Sequence, residues 1–179
     1  KCYRFVWPGD RVIVILSAGS LATTQLVIKQ IEKDLKLVSA DDTADPCNLK
    51  TLKTMSDVSA YVGRLSAEAQ RLQRKTAPNV QLGASFIVGG QIQGENIDLN
   101  MVYPEGNFIA YSLNQPFLQI GETKYGKPIL DRILQRTTSL DDTARCCLVS
   151  MAGDCGGPLL VGPPSCAAVA LIGSGVVLT

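Results

Sequence analysis

A chain of 179 residues, 46% of them hydrophobic, can bury a full core within the usual length of one domain. Its 17 basic and 16 acidic residues leave a formal net charge of +1, so no broad field exists to concentrate nucleic acid or an anionic membrane surface, and neither is expected as a partner. There is no histidine, which removes every Ser-His-Asp or Cys-His arrangement and the commonest metal ligand; acid–base chemistry must use carboxylates, lysines or a chain terminus.

The opening Lys-Cys-Tyr-Arg lacks the apolar core of a secretion signal. Pro8-Gly9-Asp10 reads as a turn feeding a buried strand, Arg11 to Leu16, a β-branched apolar run. Ser17-Ala18-Gly19-Ser20 supplies a tight turn and a serine cap. A helix over roughly 20–36 follows, with Leu21, Gln25, Ile28, Ile31, Glu32 and Leu35 at helical spacing and Leu26 and Val27 beside them. A polar loop spans Ala40 to Asn48, after which Asp57 is the cap expected for a second helix carrying Val58, Tyr61, Val62, Leu65, Ala69 and Leu72 and ending near Thr76, before Pro78.

From Gln81 the pattern changes to short runs bounded by glycine or Pro-Glu-Gly: Ala84–Val88, Ile97–Val102, Asn107–Tyr111 and Phe117–Ile120, read as an antiparallel meander. Helical patterns return at Lys124–Leu134 and Leu140–Ser150, with Thr123 and Ser139 as capping candidates. Cys155 to Thr179 carries no charge, yet glycines and prolines interrupt it and the apolar run from Cys166 is shorter than the roughly 20 residues of a spanning helix, so a buried strand pair and no membrane segment are expected. Helices paired around an antiparallel block favour a layered α+β architecture in one domain over residues 1–179.

The six cysteines (Cys2, Cys47, Cys146, Cys147, Cys155, Cys166) follow no CxxC spacing, and without histidine they offer no zinc pattern. Buried thiols in a reducing, cytoplasmic compartment are the expectation, with no metal and no cofactor. Gly153-Asp154-Cys155-Gly156-Gly157-Pro158 has the form of the nucleophile loop of chymotrypsin-like proteases in its cysteine version. That chemistry needs a histidine and a two-barrel architecture, so a Gly/Pro loop between a helix and a strand is the better reading.

Three stretches carry a resemblance to a known family. The first runs from Pro8-Gly9-Asp10-Arg11-Val12-Ile13-Val14 through Leu16-Ser17-Ala18-Gly19-Ser20-Leu21-Ala22-Thr23-Thr24-Gln25; the second is Ala84 to Ile92 followed by Met101-Val102-Tyr103-Pro104-Glu105-Gly106-Asn107-Phe108. The third, and most specific, is the unbroken run from Phe117 to Arg132. Over residues 8–149 the chain resembles the bacterial proteasome-like Anbu (ancestral β-subunit) proteins, a branch of the N-terminal nucleophile hydrolases that includes the HslV peptidase.

The resemblance implies a four-layer αββα sandwich, assembled into homo-oligomeric rings or spirals, and a peptidase acting on peptides or unfolded proteins; whether an ATPase feeds it is left open. In that superfamily the nucleophile is the side chain of residue 1 of the mature chain and its own α-amine is the base, which dispenses with histidine. Carried over residue by residue, the oxyanion donor falls on the Gly19 N–H and the catalytic lysine on Lys1, with Ser17 and Leu21 lining the specificity pocket. A turn glycine, a frayed terminal lysine, a turn serine and a core leucine would look the same.

The chain departs from the family in beginning with lysine, so the nucleophilic threonine, the strand behind it and a supporting aspartate are expected upstream, and a C-terminal piece downstream. Thr23 and Thr24 cannot substitute, having no free amine and lying in the first helical turns. Past Val149 the pattern fades: if Val161-Gly162-Pro163-Pro164 keeps register, the supporting Asp and Ser fall on Ala152 and Gly157. Three functions are therefore weighed: an N-terminal threonine peptidase subunit, an inactive proteasome-like scaffold, and, last, the cysteine protease.

Overall fold

The computed structural model describes residues 1–37, 47–112, 116–135, 137–155 and 168–171, with backbone alone for 153–155 and 168–171. A five-stranded antiparallel sheet is built from β1 (Cys2–Trp7), β2 (Arg11–Gly19), β3 (Ala84–Ile92), β4 (Asp98–Val102) and β5 (Phe108–Ala110), in that spatial order. Helices α1 (Leu21–Leu37) and α2 (Met55–Arg74) come between β2 and β3. After β5 the chain forms β6 (Phe117–Ile120), α3 (Gly126–Ile133), α4 (Leu140–Cys155) and β7 (Ala168–Leu171), and β6 pairs antiparallel with β7 in a separate sheet.

Alternation of side chains along each strand builds the layers. In β2, Ile13 to Leu16 are all buried because both faces of the strand are covered. Ile13 and Ile15, with Phe86, Val88 and Val102, pack against Val27, Ile31, Val58, Tyr61 and Val62 of the two helices. Val14, Leu16, Ile87 and Leu99 face the other way, onto Leu118 and Ile120 of β6. Phe117, on the far face of β6, packs with Leu130, Leu134 and Cys147 from the α3–α4 side. The order is thus helices, sheet, sheet, helices: the αββα sandwich the sequence led us to expect. Each fully buried Ile, Leu or Phe in these three clusters contributes about 1.5–3 kcal/mol.

The differences from the sequence reading have local causes. β1 was not anticipated, although Tyr3, Phe5 and Trp7 alternate toward the helix-side core as partly buried aromatics. Ser17 and Ala18 belong to β2, not to a turn; the strand runs on to Gly19 because β3 continues to pair with it. Along α1 the buried face is Thr23, Thr24, Val27, Ile28 and Ile31, rotated away from Leu21, Gln25 and Glu32, which are exposed. Thr23 and Thr24 can sit inside because their hydroxyls donate to the carbonyls of Leu82 and Ser20.

Thr54, not Asp57, is the N-cap of α2; Asp57 is the third helical residue and answers it in a capping box. Leu72 is half-exposed rather than core. Thr123 makes no side-chain cap for α3, whose N-cap residue is Tyr125, whereas Ser139 accepts from the Asp142 amide at the start of α4. The meander holds for β3, β4 and β5, but Phe117–Ile120 leaves it for the second sheet, so the two sheets are joined through the chain between β5 and β6. The loop at 40–46, most of the expected C-terminal strand pair, Gly157 and Val161–Pro164 lie outside the described residues; Ala152 is an exposed residue of α4.

Arg11 fastens the β1–β2 hairpin to the segment entering α2. Its guanidinium donates to the Leu49 carbonyl at 3.1 Å and the Leu52 carbonyl at 2.6 Å, and to Asp10 at 2.9 Å, with the side chain only 10% exposed. Arg11→Met keeps the apolar stem and strands two carbonyls, so we expect a loss of about 2–3 kcal/mol. For a chain of this size that lowers Tm by about 5–10 °C. A melt within 2 °C of the parent would show the guanidinium to be dispensable.

Candidate functional site

The site forms where β2 ends and α1 begins. Gly19 has φ +96°, a left-handed conformation that side chains resist, and a Cβ there would stand 2.5 Å from the Gly83 carbonyl oxygen of the neighbouring chain segment. Only glycine lets the two backbones approach so closely. Ser20 follows as the helix cap: its Oγ accepts from the Thr23 N–H at 3.3 Å, and its own N–H donates to the Gly83 carbonyl at 2.8 Å.

The ladder fixes where the Gly19 amide points. The bonds Ser20 N–H to Gly83 and Gln93 N–H to Asp10 put the even-numbered residues of β2 against β3. Lys1 and Ser17 exchange two bonds of 2.8 Å, which puts the odd-numbered residues against β1. The Ala18 carbonyl therefore points to β3, and across the trans peptide the Gly19 N–H points the opposite way, toward the β1 edge, one step beyond the Lys1–Ser17 pair. An amide there, at the positive end of a 17-residue helix, is suited to meet a developing negative charge.

The four residues singled out in the sequence thus gather at one end of the large sheet. Lys1 is exposed and opposite Ser17, their side chains on the helix-side face; Ser17 is 4% exposed, and Leu21, the first residue of α1, is 49% exposed. Ser17 and Leu21 are therefore not equivalent: one is wall, the other surface. Sequence reasoning missed Tyr3, on the same face two residues along β1, whose phenol is raised above its usual range by burial and then by the Glu32 charge. It also missed Gly83 and Leu82, which hold the turn from the β3 side. The alternating aromatics of β1 could have revealed Tyr3; nothing local marks Gly83 as Gly19's neighbour.

An open, mostly polar pocket of about 530 Å³, lined by Gln70, Arg74, Gln81, Leu82, Gly83 and Pro104 among others, abuts the same turn from the β3 side. Another, of about 500 Å³, lies on the opposite face of the sheet, against Cys2, Arg4, Val12 and Gln91. Among the described residues no group of three or more His, Cys, Asp or Glu is placed to hold a metal, and no helix is long and apolar enough to cross a membrane.

The expectation of buried thiols holds for Cys147, whose pKa is pushed up to about 11 by burial and then by Cys146, but Cys2 and Cys47 are exposed. These and Cys146 are free thiols. Cys155 is the last residue of α4, and Gly156–Pro158 lie outside the described residues, so the protease-like loop gains no structural support.

No protein-family model and no curated protein sequence matches the chain. Solved structures do. The Anbu complex of Pseudomonas aeruginosa, described as a helical assembly, superposes with a TM-score of 0.81 at 37% identity, covering 97% of this chain and 68% of that one. Anbu from Yersinia bercovieri gives 0.79 at 34% identity over 97% and 69%. Anbu from Hyphomicrobium sp. strain MC1 gives 0.78 at 36% over 97% and 69%.

Proposed function

Because this chain belongs to the Anbu, or ancestral β-subunit, family of proteasome-like proteins, we propose that it is a subunit of a homo-oligomeric cytoplasmic peptidase that hydrolyses peptides or unfolded proteins with an N-terminal threonine encoded upstream of Lys1. The observation that carries this reading is the turn at Gly19: a glycine forced by φ +96° and by contact with Gly83, its N–H directed to the edge where Lys1 lies.

In the proposed reaction the threonine hydroxyl gives its proton to its own α-amine and its oxygen adds to the peptide carbonyl carbon. The Gly19 amide donates to the resulting oxyanion, the Lys1 ammonium lowers the cost of the deprotonated nucleophile, and collapse expels the amine with the relayed proton. Water then hydrolyses the acyl-enzyme along the same path. Ser17 and Leu21 border the pocket for the substrate side chain, Ser17 supplying a buried wall and Leu21 an apolar rim.

Expression of the gene with its upstream coding sequence tests the reading. We expect a mature chain beginning with threonine that cleaves fluorogenic peptides, and at least a thousandfold loss on replacing that threonine with alanine. A mature chain without an N-terminal threonine that still forms an oligomer would instead make this an inactive scaffold.

A further inference from the structure

Thr23 is no nucleophile, yet it is the most completely buried polar residue near the site, 0% exposed, on the first turn of α1. Its Oγ1 donates to the Leu82 carbonyl at 2.7 Å and accepts from the Gln73 side-chain amide of α2 at 3.1 Å. One residue further along the same loop, the Gly83 carbonyl takes the Ser20 N–H at 2.8 Å. The turn that aims the Gly19 amide is therefore clamped on its β3 side by two adjacent bonds, and the side-chain one is braced from a second helix. Thr24 has the same side chain and is 2% exposed, but its hydroxyl donates at 2.9 Å to the Ser20 carbonyl, which the Thr24 N–H already holds at 3.0 Å, and reaches no second segment.

We propose that Thr23 is a positioning residue: through Leu82 and Gln73 it fixes the start of α1, and with it the direction of the Gly19 N–H. This rests on the peptidase reading above for its catalytic consequence, though not for its structural one. A buried hydroxyl that bridges a helix start, a loop carbonyl and a second helix restrains one turn more than it adds to the global core, because its partners converge there.

The test uses the full-length, assembled protein and compares Thr23→Val, Thr23→Ser and Thr24→Val. Thr23→Val keeps the shape and removes both bonds. We expect hydrogen exchange of the Ser20 amide, which is bonded to the Gly83 carbonyl, to quicken about tenfold while the β3 core is unchanged, and kcat on a fluorogenic peptide to fall about tenfold with KM within twofold. Thr23→Ser is expected to restore both quantities, and Thr24→Val to leave both within twofold. Should Thr23→Val fail to fold, Gln73→Leu, which removes the brace and a bond to the Ala69 carbonyl within α2 but leaves the Thr23–Leu82 bond, is expected to give a smaller change of the same sign.

Unchanged exchange at Ser20 overturns the proposal, and so does quickened exchange with unaltered kcat. If the parent protein cleaves no peptide, the peptidase reading falls, while the exchange comparison still decides whether Thr23 holds the turn.

Discussion

On the proposed peptidase reading, Gly19→Ala is expected to remove most of the peptide cleavage by the full-length protein, and on structural grounds alone it is expected to lower its stability. The methyl group meets two obstacles: a left-handed backbone that costs an L-residue about 1–2 kcal/mol, and the Gly83 carbonyl oxygen 2.5 Å away, which is backbone and cannot rotate aside. Relief requires the β2 end to pull away from β3, and that swings the Gly19 amide off the proposed oxyanion position. Loss of one oxyanion donor lowers kcat by about 10²–10³. We expect about 3 kcal/mol of destabilisation from strain and displacement together, or a Tm lower by about 10 °C. The control is Gly83→Ala, whose added Cβ would stand 3.5 Å from Pro104, an ordinary contact, so a change within about 1 kcal/mol is expected. Equal effects of the two substitutions would refute the close-approach argument.

Gly63→Ala should be the largest purely structural perturbation. On helix propensity alone, alanine in the interior of α2 would stabilise by about 1 kcal/mol. Here a Cβ would stand 2.0 Å from the Gly106 carbonyl oxygen, at the tight turn between β4 and β5, and Gly106 itself has φ +96° with its own Cβ position 2.8 Å from the Gly63 carbonyl. Two glycines face each other so that helix and turn touch backbone to backbone, and Gln70, two turns further along α2, donates to the Pro104 carbonyl of the same β4–β5 turn. Separating them opens the helix-side core around Val62, Val102 and Phe108. We expect a loss of more than 3 kcal/mol by denaturant unfolding. A stabilised variant would show that propensity governs this site and that the contact does not.

Where the pattern of residues itself carried the information, the sequence reading was close. Val12–Leu16 is an apolar, mostly β-branched run, which signals a strand covered on both faces, and Ser20 and Ser139 cap the helices expected to follow them. It failed where a tertiary partner overrode the local pattern. Leu21 and Leu72 fit a helical stripe but are half-exposed, while Thr23 and Thr24 are inside because carbonyls wait for their hydroxyls. Phe117–Ile120 had the right limits and the wrong sheet, since nothing in four residues says which edge they will meet. For the site, residue type and order were legible: Lys1, Ser17, Gly19 and Leu21 do gather at one end of the sheet. That gathering was legible only through family resemblance, because a glycine before a helix looks like any other turn.

By itself, then, the sequence determined the layered α+β class, the strand-to-helix turn at Gly19 and the absence of histidine chemistry within these 179 residues, because these follow from composition and from short-range periodicity. Only the tertiary structure decided which face of α1 is buried, which residue braces the turn, and that Gly19 and Gly63 each need a bare backbone. A side chain's cost depends on what stands within 3 Å of it, and at both glycines that neighbour comes from 40 or more residues away, Gly83 for Gly19 and Gly106 for Gly63.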